Sequence, residues 1–186
     1  MNYLRRAKVV SRLLDEFFRS RAATMTKAQD ALLRCLEAGH KILVFGNGGS
    51  AAEAQHFAAE LVNKFRTTRP AIPALALSTD TSVLTSIGND VSFASVFSRQ
   101  VEALGGPGDF AVGISTSGNS PNVIRALKSG RQKGMATLGL SGAGGGNMAP
   151  LCDILLDVPS TETPLIQEVH LVVLHILAEE IERRFA

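Results

Sequence analysis

Cysteine is scarce in this chain, tryptophan is absent and tyrosine occurs once. The two cysteines, Cys35 and Cys152, each lie in an apolar stretch and form no C-x-x-C pair. That excludes a disulfide framework and a cysteine zinc site, and buried, reduced thiols are the expectation. A surplus of one charge is lacking too. The net charge is +2 and the 19 basic residues are dispersed rather than gathered into runs, so no nucleic-acid partner is expected. No stretch reaches the ~20 consecutive apolar residues of a membrane span. The first twenty residues carry Arg5, Arg6, Lys8, Arg12, Asp15, Glu16 and Arg19, unlike a secretory leader. The expected setting is therefore cytoplasmic, with no membrane association. The nucleotide-binding patterns G-x-x-x-x-G-K-[ST] and G-x-G-x-x-G are missing as well.

Aliphatic residues, in contrast, are plentiful and grouped. Five short runs read as strands buried on both faces of a parallel sheet: Lys41–Phe45, Ala74–Ser78, Phe110–Ile114, Ala136–Leu140 and Asp153–Val158. Between them, apolar spacing of three and four predicts helices over Ala51–Phe65, Val91–Leu104 and Asn122–Lys133. Alternating strands and helices imply right-handed βαβ units in a doubly wound α/β sheet, and 186 residues suit a single domain spanning 1–186. In front stand two helical patterns, Tyr3–Arg19 and Ala22–Glu37, the second ended by Gly39; behind comes a long one over Thr163–Phe185. These outer helices carry more apolar surface than one sheet needs, so an oligomer interface is expected of them. Gly142–Gly146 reads as a flexible loop after the fourth strand.

Two loops hold most of the candidate chemistry. The first strand runs into Gly46-Asn47-Gly48-Gly49-Ser50 and then a helix, where backbone N–H groups can receive an anion or sugar oxygens. The same glycines would also serve a plain tight turn with Ser50 as N-cap. The third strand ends in Ser115-Thr116-Ser117-Gly118-Asn119-Ser120, with Pro121 placed to begin the next helix. An ordinary cap needs one hydroxyl. Four beside a helix amino terminus can donate to phosphate oxygens without a cationic side chain. Both loops fall at carboxyl ends of parallel strands, where such sheets bind ligands.

Histidines and carboxylates are less telling alone. His56 and Glu60, four apart, share a helix face and read first as a surface hydrogen bond, with a shared metal or substrate as the other possibility. On the last helix, Gln167 and His175 are eight positions apart, about 12 Å along the axis and roughly 80° around it, so spacing does not make them a pair. His170 reads as a core or interface histidine.

Taken together, F-G-N-G-G-S, A-x-x-Q-H-F-A-A-E-L, S-I-G-N-D, G-I-S-T-S-G-N-S and I-Q-E-V-H with a later His resemble the phosphoheptose isomerases of the sugar isomerase (SIS) domain family, from about Tyr3 to Ile181. The resemblance implies a flavodoxin-like five-stranded sheet and a homotetramer with active sites between subunits. It implies one zinc ion per subunit held by His56, Glu60, Gln167 and His175. It also implies substrate contacts from Asn47, Gly48, Gly49, Ser50, Glu60, Asn89, Asp90, Ser115, Thr116, Ser117, Ser120 and Gln167. The implied reaction interconverts sedoheptulose 7-phosphate and D-glycero-D-manno-heptose 7-phosphate, toward the heptose of lipopolysaccharide or other glycans. Moving a carbonyl between C1 and C2 through an enediol needs a base on carbon and an acid on oxygen; Glu60 and His175 are the candidates. The chain departs from the family pattern at Leu165, preceded by Thr163 and Pro164, and at Lys64. Two other readings stand beside this one: a non-catalytic SIS protein that binds a sugar phosphate for regulation, and an isomerase of a different ketose phosphate.

Overall fold

The computed structural model describes residues 3–186, so the first two residues of the expected 1–186 domain lie outside the described residues. Its elements, in chain order, are α1 (Tyr3–Glu37), β1 (Ile42–Gly46), α2 (Gly49–Val62), β2 (Ala74–Ala76), α3 (Thr81–Asp90), α4 (Ser98–Leu104), β3 (Phe110–Ser115), α5 (Pro121–Gln132), β4 (Ala136–Ser141), β5 (Ile154–Asp157) and α6 (Thr163–Phe185). All five expected strands form, within one or two residues of the expected ends. They make one parallel sheet in the order β2-β1-β3-β4-β5, with Ile42 facing both Ala74 and Phe110 across the ladders. The chain turns outward to β2 from β1 and inward again to β3, so the topological switch point lies between β1 and β3.

Side chains alternate across the central strands. Ile42 and Val44 of β1 join Phe57, Leu61, Val112, Leu138, Val169 and Leu174 in a core that packs α1, α2 and α6 on one face. Leu43 and Phe45 join Val96, Phe97, Val123 and Leu127 in a second core that packs α4 and α5 on the other. Every residue of β1 and β3 is buried, which explains why these strands show no apolar/polar alternation in sequence.

Four features depart from expectation. The two amino-terminal helices are one: α1 runs unbroken for 35 residues. Neither Gly nor Pro interrupts it near Ser20, whose hydroxyl donates within the helix to the Phe17 carbonyl at 3.2 Å, and Arg21 ties the middle of the helix to Asp157 of β5 at 2.8 Å. Its first turns project past the sheet and leave Tyr3 and Leu4 83% and 74% exposed. The helix expected over Val91–Leu104 begins only at Ser98 and follows a short 3-10 turn at Phe93–Ser95. Before it stands α3, which was not expected; Asp80 caps it by accepting from the Val83 N–H at 2.9 Å. The glycine stretch 142–146 is held rather than loose: the Gly142 N–H donates to the Thr116 carbonyl at 3.0 Å and the Met148 N–H to the Gly118 carbonyl at 2.9 Å.

Candidate active site

The β1-to-α2 turn is built from glycine for steric reasons. Gly48 takes φ +56°, and a Cβ on Gly46 would come within 2.9 Å of the Ile114 carbonyl on the neighbouring strand. The cap position belongs to Gly48, not to Ser50 as the plain-turn reading had it; Ser50 lies inside the first turn and is buried. No side-chain oxygen caps the amino end of α2; its Ser50, Ala51 and Ala52 N–H groups donate within the turn to the Asn47 and Gly48 carbonyls at 3.0–3.2 Å.

The hydroxyl loop sits beside it, after β3. Ser115 and Ser120 place their Oγ atoms 3.0 Å apart, and the Ser117 Oγ accepts from the Asn119 N–H at 3.1 Å. Pro121 opens α5 as expected, and Ser120 stands at its cap position without a side-chain capping bond. Its hydroxyl is thus not consumed by the helix end. Across the switch point, Asn47 and Asn122 exchange two amide hydrogen bonds of 2.9 and 2.8 Å, which lock the glycine loop to the start of α5. Asn122 is buried and was not singled out in sequence; its only local signal is a polar residue directly after the helix-opening proline.

The third part of the site joins α2 to α6. The Nε2 atoms of His56 and His175 face one another at 2.9 Å, and the Glu60 Oε1 lies 3.5 Å from the His56 Nε2. One ligand atom from each of these three residues falls within a 4.8 Å group, a spread compatible with one metal ion. The other Glu60 oxygen is buried and has no hydrogen-bond partner among the described residues. Behind it, Arg69 donates from Nη2 to the Glu60 carbonyl at 2.7 Å, and the Phe65 ring packs 5.8 Å from that of His175. Sequence spacing indicated neither support.

Gln167 lies at the amino ends of the same two helices, its amide against Gly49. Asn89 and Asp90 sit at the end of α3, exposed; Asn89 donates to Asp90 at 2.7 Å, and among the described residues neither hydrogen-bonds to the two loops. Leu165 points into the core and Lys64 is exposed, so the first departure from the family pattern falls on a packing residue. Burial pushes the Cys35 and Cys152 thiols up to about 11 and about 12; Cys35 is buried as expected, whereas Cys152 is half-buried.

The geometry is that of an α/β protein with a hydroxyl-rich loop and a His-Glu-His cluster on adjoining helices, and the comparisons place its fold in a known family. The SIS domain model matches residues 6–142. A phosphoheptose isomerase of Desulfovibrio desulfuricans is 57% identical over 169 residues, covering 91% of this chain and 80% of that protein. The solved structure of phosphoheptose isomerase from Neisseria gonorrhoeae superposes with a TM-score of 0.91 at 43% identity, covering 97% of this chain and 96% of that one. That of a phosphoheptose isomerase from Francisella tularensis does so with 0.88 at 35% identity, covering 98% and 100%. The chain belongs to the SIS-domain family. Within that family it stands with the phosphoheptose isomerases as a sugar-phosphate isomerase.

Proposed function

We propose that the protein interconverts sedoheptulose 7-phosphate and D-glycero-D-manno-heptose 7-phosphate through an enediol(ate), with Glu60 as the base and His175 as the acid. The observation that carries this reading is the meeting of Glu60 and His175, from two different helices, in one 4.8 Å cluster with His56. Isomerisation needs a proton taken from carbon and one delivered to the adjacent oxygen. Among the described residues Glu60 keeps one carboxylate oxygen without a partner, and a ligand atom of His175 lies within 4.8 Å of one of Glu60.

The hydroxyl loop would hold the phosphate through Ser115, Thr116, Ser117 and Ser120, with Asn47, Gly48, Gly49 and Ser50 beside the sugar. Binding energy gathered at that remote end fixes the reacting carbons over the acid and base. Asn89 and Asp90, exposed at the end of α3, would contact substrate from a neighbouring subunit of a homotetramer, a role suited to side chains that, among the described residues, bond to each other. The exposed apolar start of α1 suits it to an interface between subunits.

Two imidazoles and a carboxylate, one of whose oxygens is buried without a partner among the described residues, fit a zinc ion by donor chemistry. His56, Glu60 and His175 would hold it, one ion per subunit, with Gln167 as the fourth ligand. When bound, the ion would supply Lewis-acid stabilisation of negative charge developing on the sugar oxygen. The cytoplasm is the proposed location: among the described residues no helix is long and apolar enough to cross a membrane. The product would feed heptose into lipopolysaccharide or a related glycan.

The test is a panel of ketose phosphates of five to seven carbons with NMR detection of the aldose. Glu60→Gln and His175→Ala are expected to abolish conversion of the seven-carbon ketose while leaving folding and sugar-phosphate binding intact. Near-normal turnover by either variant removes both residues from the chemistry. Preference for a shorter ketose transfers the site to that substrate, and binding of every member without conversion of any identifies a regulatory binding protein.

A further inference from the structure

Beneath the cluster lie two buried polar groups that the proposed chemistry does not use. Glu53 of α2 is 8% exposed and His170 of α6 is 1% exposed. The Glu53 Oε2 and the His170 Nδ1 are 4.0 Å apart. Both are buried atoms without a hydrogen-bond partner among the described residues. Unpaired polar atoms at this depth are costly, and two that face one another call for a common explanation. The other ring nitrogen supplies it. His170 Nε2 lies 3.1 Å from the Ser141 carbonyl, which only accepts, so the ring proton belongs on Nε2 and Nδ1 is left as an acceptor. An ionised carboxylate would set acceptor against acceptor. A protonated one donates.

We propose that Glu53 and His170 share one buried hydrogen bond, from the carboxyl O–H to Nδ1, which fixes α2 against α6 and so sets how His56 and Glu60 meet His175. An ordinary bond of this kind is about 1 Å shorter than the present separation, a closure within the reach of the Glu53 side chain. Burial pushes the Glu53 carboxyl up to about 7 despite the adjacent Ser50 hydroxyl, and burial pushes His170 down to about 4 despite the Ser141 carbonyl. The proton is therefore available to the carboxyl near neutrality while the imidazole stays neutral. Placement along the helices gives the pair its leverage. Glu53 stands one turn before His56 and two before Glu60, and His170 stands between Gln167 and His175. Past Ser141, Gly142 donates to the Thr116 carbonyl at 3.0 Å, so the same polar chain ends at the hydroxyl loop. Glu53 and His170 are positioning residues in this arrangement, a role that rests on the cluster being the reaction centre.

Glu53→Gln and Glu53→Leu separate the possibilities, because an amide N–H still donates to Nδ1 and an isobutyl group does not. With sedoheptulose 7-phosphate, Glu53→Gln is expected to keep a kcat close to that of the unsubstituted protein. Glu53→Leu is expected to lose about tenfold in kcat with little change in KM, the lower range for residues that orient a metal cluster. The 15N signals of His170 are expected to show Nε2 protonated and Nδ1 hydrogen-bonded, with Nδ1 moving to a free-acceptor value only in Glu53→Leu. Unchanged kcat in Glu53→Leu, equal losses in both variants, or a free Nδ1 in the unsubstituted protein would each overturn the pairing. The NMR signals need no turnover, so they decide the pairing even if the unsubstituted protein converts no heptose phosphate or Glu53→Leu fails to fold.

Discussion

The Gln167 amide lies so close to Gly49 that a Cβ on that glycine would overlap its Nε2. The obstructing atoms are the far end of a flexible side chain, so Gly49→Ala is expected to displace Gln167 rather than disturb the fold. Misplacing a group near the reacting atoms by about 1 Å costs up to roughly 100-fold in rate. Gly49→Ala should therefore melt near the normal temperature yet turn over sugar phosphate at least about tenfold more slowly. Unaltered kcat would show that the place of Gln167 beside Gly49 has no bearing on catalysis.

The Nε2 atoms of His56 and His175, 2.9 Å apart, predict a metal-dependent preparation. Zinc should accompany the purified protein at one ion per subunit and fall to background in His56→Ala. Elemental analysis of both preparations checks it; equal zinc in the two would take His56 out of the ligand set.

Gly118 combines φ +65° with a Cβ direction that runs into the Gly145 carbonyl. Forcing a side chain into this left-handed region costs about 1–2 kcal/mol before the overlap is counted. Gly118→Ala should lower stability by at least that amount and weaken sugar-phosphate binding, since the hydroxyl loop and the 142–146 stretch would have to part. Calorimetric melting with and without sugar phosphate measures both; a variant as stable and as tightly stabilised by ligand would sink the argument.

Glu182 predicts an acid limit to stability. Burial alone would raise its carboxyl, but it accepts from the Thr67, Arg66 and Phe65 N–H groups, which hold it down to about 2. Because the folded value lies below the ordinary one, this contribution is complete above about pH 4.5 and is lost as pH falls through about 2. Glu182→Gln should cost about 2 kcal/mol at neutral pH. Its stability should also fall less steeply between those limits. Urea unfolding of both proteins at neutral and acid pH checks it, and parallel pH profiles would refute the assignment.

Much of this was legible in the chain. The five strands, Pro121 at the head of α5 and the glycine and hydroxyl loops depend on nearest neighbours: aliphatic runs buried on both faces, glycines where backbones pass closely, hydroxyls in excess of a cap. The unbroken α1 was not legible, because its middle is tied down by Asp157 from the far end of the chain. Nor was α3, whose Asp80 cap is a local signal but whose apolar face is short. Loop 142–146 read as loose because runs of glycine look alike in sequence whether or not another loop holds them. Asn122 matters through Asn47, 75 residues away.

By itself, the amino-acid sequence determined the order of the elements and the residues each would present: the spacing of His56 and Glu60 fixes their angle around one helix axis whatever that helix packs against. What the tertiary structure alone decided is the relation between axes. Glu60 meets His175 because α2 and α6 bury their apolar stripes in the same core, against the same face of the sheet. A helical repeat specifies directions around its own axis and carries no information about the neighbour that burial will bring.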